Sequence, residues 1–148
     1  MIINGDLQVS ESEKYDYILD AWALLAHFGS ETGADRVRGF LRSAADGKCT
    51  LGMSLINFGE VATITERERG LSKVYAVLSI IHTLPIALLK VEDSVVLNAA
   101  HIKAHYRLSY AGAFAAATAR LWGGKLITGD PELKALDGRE IMVEWLGN

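Results

Sequence analysis

The stretch over residues 15–28, YDYILDAWALLAHF, decides how the rest of the chain is read. YDYIL reads as a short strand over 15–19. AWALLAHF then puts Trp22, Leu25 and Ala26 on one face of a helix that begins at Asp20. A strand that hands over to a helix at an aspartate sets a pattern, and the chain repeats it.

Upstream, the run SESEK and the residues before it carry no sustained apolar period, so residues 1–14 read as an irregular tail and 15–148 as one domain. Downstream, Val37, Phe40, Leu41 and Ala44 fall at helical spacing within 32–45, and Asp46 and Gly47 stop that helix. A brief strand follows over 50–53. Ser54 caps a helix over 55–69, Gly70 ends it, and 71–83 forms a second apolar helix with Leu71, Val74, Leu78 and Ile81 in register. The spacing then predicts a strand over 86–90, a helix over 92–106, an Ala-rich helix over 110–121 and a strand over 125–127. Pro131 opens a short helix, and 141–143 makes a last strand. Short apolar strands alternating with amphipathic helices imply a short, mostly parallel sheet covered on both faces, an α/β fold of three layers, α/β/α. Ligands of such sheets sit beyond the carboxyl ends of the strands, which draws attention to Asp20 and Asp130.

Composition narrows the classes. With 148 residues and 50% hydrophobic content the chain buries one sizeable core. The single Cys49 forms no internal disulfide and no signal-like segment opens the chain, so a reducing, cytoplasmic location is expected. The longest apolar stretch, 74–89, carries Ser79, His82, Thr83 and Pro85 and is too short for a bilayer. It reads as a buried helix followed by a strand, and no membrane partner is expected. A net charge of -3 gives no general attraction to a polyanion, so any nucleic-acid binding is local. Arg36, Arg38 and Arg42, then Arg67, Arg69 and Lys73, then Lys103 and Arg107 are the local basic groups. Each also reads as an ordinary solvated helix face.

Three acids fall where chemistry is expected: Asp20 after the first strand, Glu60 in NFGEV, and Asp130 in TGDPE. Asp20 and Asp130 also read as helix N-caps, and Glu60 also reads as a surface helix residue. Clustered carboxylates repel one another and persist where a hard divalent cation neutralises them. Magnesium suits such a site because it keeps several of its waters. Asn57 lies about one helical turn from Glu60 and faces the same way. Other candidates are weaker. His101 and His105 have zinc-like spacing and no third ligand, Cys49 has no nearby catalytic partner, and Gly123, Gly124 and Lys125 lack the strand, loop and helix order of a phosphate-binding loop.

The segments YILDAWALLA, NFGEVATITERERG, LSYAGAFAAATA and LITGDPELKAL occur in the order seen in VapC-type PIN domains, and the resemblance runs over about 15–143. It implies a PIN fold and a metal-dependent endoribonuclease, the toxin of a toxin-antitoxin pair, leaving a 5′-phosphate and a 3′-hydroxyl. Asp20, Glu60 and Asp130 become its catalytic residues and its ligands to Mg2+, with Mn2+ as an alternative. Asn57 and Thr128 become contacts behind the metal or to substrate. The implied partners are RNA, a VapB-like antitoxin and a second copy of the chain. At residue 112 the chain departs from the resemblance: Gly112 stands where the family carries aspartate, which removes a ligand and a charge and predicts impaired activity. A catalytically inert PIN-fold protein that binds RNA or antitoxin is the alternative. A receiver-like signalling domain fits less well, because only Asp20 directly follows the first strand.

Overall fold

A computed structural model describes residues 14–148, so apart from Lys14 the expected tail lies outside the described residues. In chain order the elements are β1 (Tyr17–Leu19), α1 (Ala21–Gly29), α2 (Ala34–Ala45), β2 (Leu51–Ser54), α3 (Leu55–Arg69), α4 (Leu71–Thr83), β3 (Ala87–Leu89), α5 (Asp93–His105), α6 (Tyr110–Trp122), β4 (Lys125–Thr128), α7 (Pro131–Lys134) and β5 (Val143–Trp145). The strands form one sheet in the order β3-β2-β1-β4-β5, and every pairing is parallel. Helices cover both faces of this sheet, giving three layers, α/β/α.

Strand alternation makes the layers. Ile18 and Leu126 point to one side of the sheet and pack with α5 and α6. Their neighbours Leu19 and Ile127 point to the other, among Leu24, Val37, Val61 and Ile81 of α1 to α4. Each such aliphatic side chain, fully buried, contributes about 1.5 to 3 kcal/mol to stability. The run Ala115–Ala116–Ala117 on α6 is wholly buried, because side chains this small let the helix lie close against the sheet.

The strand order also fixes where a site can form. From β1 the chain steps outward to β2 and β3, then returns and continues from β4 to β5 on the other side. The reversal lies between the adjacent strands β1 and β4, paired Leu19 with Ile127, and the two helices leaving them diverge there. Asp20 and Asp130 follow these two strands and so meet at the crevice.

Two expectations need correction. The last strand is Val143–Trp145, two residues later than read, because Ile141 is taken by an isolated bridge to Asp137. Gly138, at φ +77°, turns the chain there, and the Asp137 carboxylate accepts from the Val143 N–H at 2.8 Å. Helix α4 buries only the face of Val74, Val77 and Ile81, while Leu71, Tyr75 and Ile80 on the other side are exposed. Its apolar content is spread around the helix, which made it read as buried. Arg36 of α2 reaches the sheet edge and donates to the Trp145 carbonyl, and at 2.6 Å to the Glu144 carboxylate. Among the described residues no helix is long and apolar enough to cross a membrane.

Candidate active site

Asp20 is both cap and pocket residue. Its Oδ1 accepts from the Ala23 N–H at 2.9 Å and starts α1, while Oδ2 accepts from the Thr128 hydroxyl at the end of β4. The same Thr128 oxygen accepts from the Asp130 N–H at 3.0 Å, and Asp130 Oδ1 caps α7 through the Glu132 N–H at 3.0 Å. One hydroxyl therefore ties the ends of two adjacent strands together. Thr128 is fully buried and lies behind the two acids rather than in the pocket lining.

The opposite wall comes from helices. Ser54 caps α3 and aims its first turns across the crevice, bringing Asn57 and Glu60 to the rim. Ser109 caps α6, its hydroxyl accepting from the Gly112 N–H at 3.0 Å. These groups enclose a cavity of about 210 Å³ lined by Asp20, Ala21, Trp22, Leu25, Asn57, Glu60, Ile64, Ser109, Gly112, Asp130 and Leu133. Asp20, Glu60, Asp130, Asn57 and Gly112, all singled out in the sequence, thus share one pocket.

The pocket is acidic and its lining holds no Lys, Arg or His. Burial raises the Asp20 carboxyl to about 7. The bonds from Thr128 and Ala23 oppose that shift, and the charges of Asp130 and Glu60 add to it. Burial also pushes Glu60 up, the Asn57 amide pulls it back, and Asp130 adds a smaller push. Asn57 donates to the Ala111 carbonyl at 3.0 Å, while its buried Oδ1 has no hydrogen-bond partner. Among the described residues, no three His, Cys, Asp or Glu side chains are placed to hold a metal ion together. A hard cation that keeps most of its water shell needs only one or two of these carboxylates as direct ligands, and no Lys, Arg or His in the lining competes with it.

Sequence reasoning did not anticipate two parts of this wall. Ser109 lines the pocket as well as capping α6, and the polar residue three before Gly112 was its only signal. Trp22 and Leu25, which share a helical face with Ala26, also line the pocket, a placement that the shared face alone did not specify. The Trp22 indole occupies the place that a side chain at residue 129 would take, so TGD requires its central glycine. Gly112 differs: a Cβ there would meet only the Ser109 hydroxyl at 3.1 Å and Leu108 and Leu133 at 3.8 Å.

The PIN domain family model matches residues 17–139. Among solved structures, VapBC2 from Rickettsia felis, bound to a DNA fragment from their promoter, superposes with a TM-score of 0.68 at 13% identity, covering 86% of this chain and 96% of that one. DNA-bound VapBC from Salmonella typhimurium gives 0.68 at 14% identity, covering 88% and 97%. VapC20 from Mycobacterium tuberculosis, a sarcin-ricin loop cleaving toxin, gives 0.67 at 16% identity, covering 86% and 99%. At these identities the likeness is one of fold. No curated protein sequence matches significantly.

Proposed function

The chain belongs to the PIN-domain family, and on that premise we propose that it is a VapC-like, magnesium-dependent endoribonuclease, the toxin of a toxin-antitoxin pair, impaired by Gly112. The observation that carries this reading is the meeting of Asp20, Glu60 and Asp130 in one cation-free pocket at the reversal of strand order. Asp20, Glu60 and Asp130 would hold the ion, Mg2+ or in its place Mn2+. When bound, it supplies charge neutralisation for a phosphate and lowers the pKa of a water.

The chain's own residues do the rest. Thr128 and the Ala23 amide fix both oxygens of Asp20, so that carboxylate cannot swing away from the crevice. The Glu132 amide fixes one oxygen of Asp130. Asn57, anchored on the Ala111 carbonyl, lines the pocket beside Glu60 and favours the charged form of that carboxyl by a hydrogen bond. Trp22, Leu25, Ile64 and Leu133 exclude bulk water from one side and strengthen each electrostatic interaction within. Hydrolysis adds water's oxygen to phosphorus as the bond to the 3′-oxygen breaks, leaving a 5′-phosphate and a 3′-hydroxyl.

The partners that accompany this reading are RNA, a VapB-like antitoxin and a second copy of the chain, in the cytoplasm. The exposed apolar side chains of α4, Leu71, Tyr75 and Ile80, support a protein contact. The alternative, an inert PIN-fold protein binding RNA or antitoxin, is favoured by one observation: Gly112 contributes no donor to the pocket wall.

The test is Gly112→Asp. Residue 112 sits in the first turn of α6, where an aspartate interacts favourably with the helix dipole. Its Cβ asks only a few tenths of an ångström of the Ser109 hydroxyl. The substitution is expected to raise magnesium-dependent RNA cleavage roughly 100-fold, about 2.7 kcal/mol of barrier. Asp20→Asn or Glu60→Gln on that background should return it to baseline. A folded Gly112→Asp protein that cuts no RNA in magnesium or manganese would sink the nuclease reading, and equal activity in both proteins would remove the impairment.

A further inference from the structure

The start of α6, which supplies Ser109 and Gly112 to the pocket, also carries an aromatic ring that no role so far uses. Tyr110 lies between Ser109 and Ala111 at the start of α6, one residue from Ser109 and two from Gly112, both of which line the pocket. It is 52% exposed, high for a tyrosine at the first position of a helix that is otherwise almost wholly buried. Its ring is not loose. It stacks on Phe114 with centroids 5.5 Å apart and planes inclined by 28°, and the Lys103 ammonium stands 5.8 Å from its centroid. Lys103 is itself pinned, donating to the Leu108 carbonyl at 2.9 Å, and Arg107 is exposed on the same connection between α5 and α6.

From this arrangement we propose that Tyr110, with Lys103 over its ring and the exposed Arg107 on the preceding connection, is a stacking platform for one base of single-stranded RNA flanking the phosphate held in the pocket. The proposal rests on the nuclease reading and deepens it by giving the substrate a direction. On the other side, the cavity between α1, α3 and α4 bears Glu31 and Glu68 against Arg69, so its rim repels a phosphate chain. At the Tyr110 side the Lys103 ammonium stands over a π surface held in place and Arg107 is exposed three residues before it, so on a chain of net charge -3 a polyanion is locally attracted there. A ring backed by Phe114 loses little freedom when a base lands on it, which is the property a stacking platform needs.

The experiment is an anisotropy titration of the wild-type chain with fluorescein-labelled octa-uridylate in magnesium, the probe's length checked by gel after each run. Tyr110→Ala is expected to raise Kd about tenfold, within the range for loss of one stacked base, while Tyr110→Phe and Tyr110→Trp stay within about twofold. A single abasic position moved along the probe should weaken wild-type binding at one place and leave Tyr110→Ala indifferent there. Arg107→Gln should lower the slope of log Kd against log salt by about 0.7, the value of one single-strand phosphate contact, and leave the abasic profile unchanged. Circular dichroism and Tm confirm that each variant folds. If wild type binds and Tyr110→Ala binds equally well with the same abasic profile, the platform is wrong and the nuclease reading stands. Loss with Tyr110→Phe as large as with Tyr110→Ala also overturns stacking, since it assigns the contact to the hydroxyl. If wild type binds no RNA at all, both readings fall.

Discussion

The two walls of the acidic pocket are built to different standards. On the sheet side, Asp20, Thr128 and Asp130 form a continuous chain of hydrogen bonds in which both oxygens of Asp20 and one of Asp130 are held. On the helix side, Asn57 keeps a buried oxygen without a partner and Gly112 presents no group at all. The sheet wall is preorganised by elements that the fold cannot move. The helix wall hangs on two N-caps, and the groups it presents can change without disturbing the core. A PIN domain of this design can therefore keep its fold and half of its site while losing the other half.

The largest expected effect comes from breaking the sheet wall at Asp20. Its carboxyl is raised from 3.8 to about 7 in the folded protein. Its contribution to stability is thus fully present below pH ~3.8 and is lost as pH rises through 7, after which the ionised, buried group costs a few kcal/mol at about 1.4 kcal/mol per pKa unit. Glu60, also raised, acts in the same direction. Urea denaturation of the metal-free protein should therefore show stability falling between pH 4 and 8. Asp20→Asn should flatten most of that slope and be the more stable protein at pH 8. An unchanged slope in Asp20→Asn would mean that the pocket tolerates the charge.

Thr128→Val ranks second. It removes the donor that lowers Asp20 and the acceptor of the Asp130 N–H while keeping the side chain's shape. A loss of about 1.5 to 3 kcal/mol is expected at pH 8, where the bond is to a charged group, and a smaller loss at pH 5, where Asp20 is protonated. Equal losses at both pH values would show that the hydroxyl serves only the Asp130 amide.

The smallest effect belongs to the helix wall. In Gly112→Ala a helix gains up to about 1 kcal/mol over glycine, set against the 3.1 Å approach to the Ser109 hydroxyl, so stability should shift by less than about 1 kcal/mol. Cleavage should stay at the wild-type level, unlike Gly112→Asp. A rise in activity with alanine would mean that backbone stiffening, rather than the carboxylate, is what the wild-type wall lacks.

The contrast also explains what was legible in the sequence. Asp20 and Asp130 were readable because the switch from strand to helix happens at them, and Pro131 marks the second switch. Glu60 and Asn57 were readable as a pair because one helical turn fixes their common face. The position of Gly112 was legible only through its resemblance to a motif, since nothing local distinguishes it from another alanine-like residue. Trp22 and Leu25 were readable as sharing a face, but not as pocket residues, because periodicity identifies a face and not the neighbour it meets. Strand β5 was displaced because Ile141 looks like a strand residue, and only the Asp137 carboxylate and the turn at Gly138 show that pairing begins later.

The hydrogen bonds at β5 have a consequence for how the molecule behaves in a crowd. An open sheet ends in strands whose outward N–H and C=O groups are a template for any passing extended peptide, and aggregation starts there. In β5 the bonds of Leu126 N–H to Met142 and of Leu146 N–H to Thr128 point inward, so Val143 and Trp145 turn their backbone groups outward. The Val143 N–H is already taken by Asp137 and the Trp145 carbonyl by Arg36. A foreign strand arriving at this edge finds two of its docking points occupied by side chains from the same molecule. Pairing of a foreign strand along β5 is thereby disfavoured, with Arg36 and Asp137 guarding the edge.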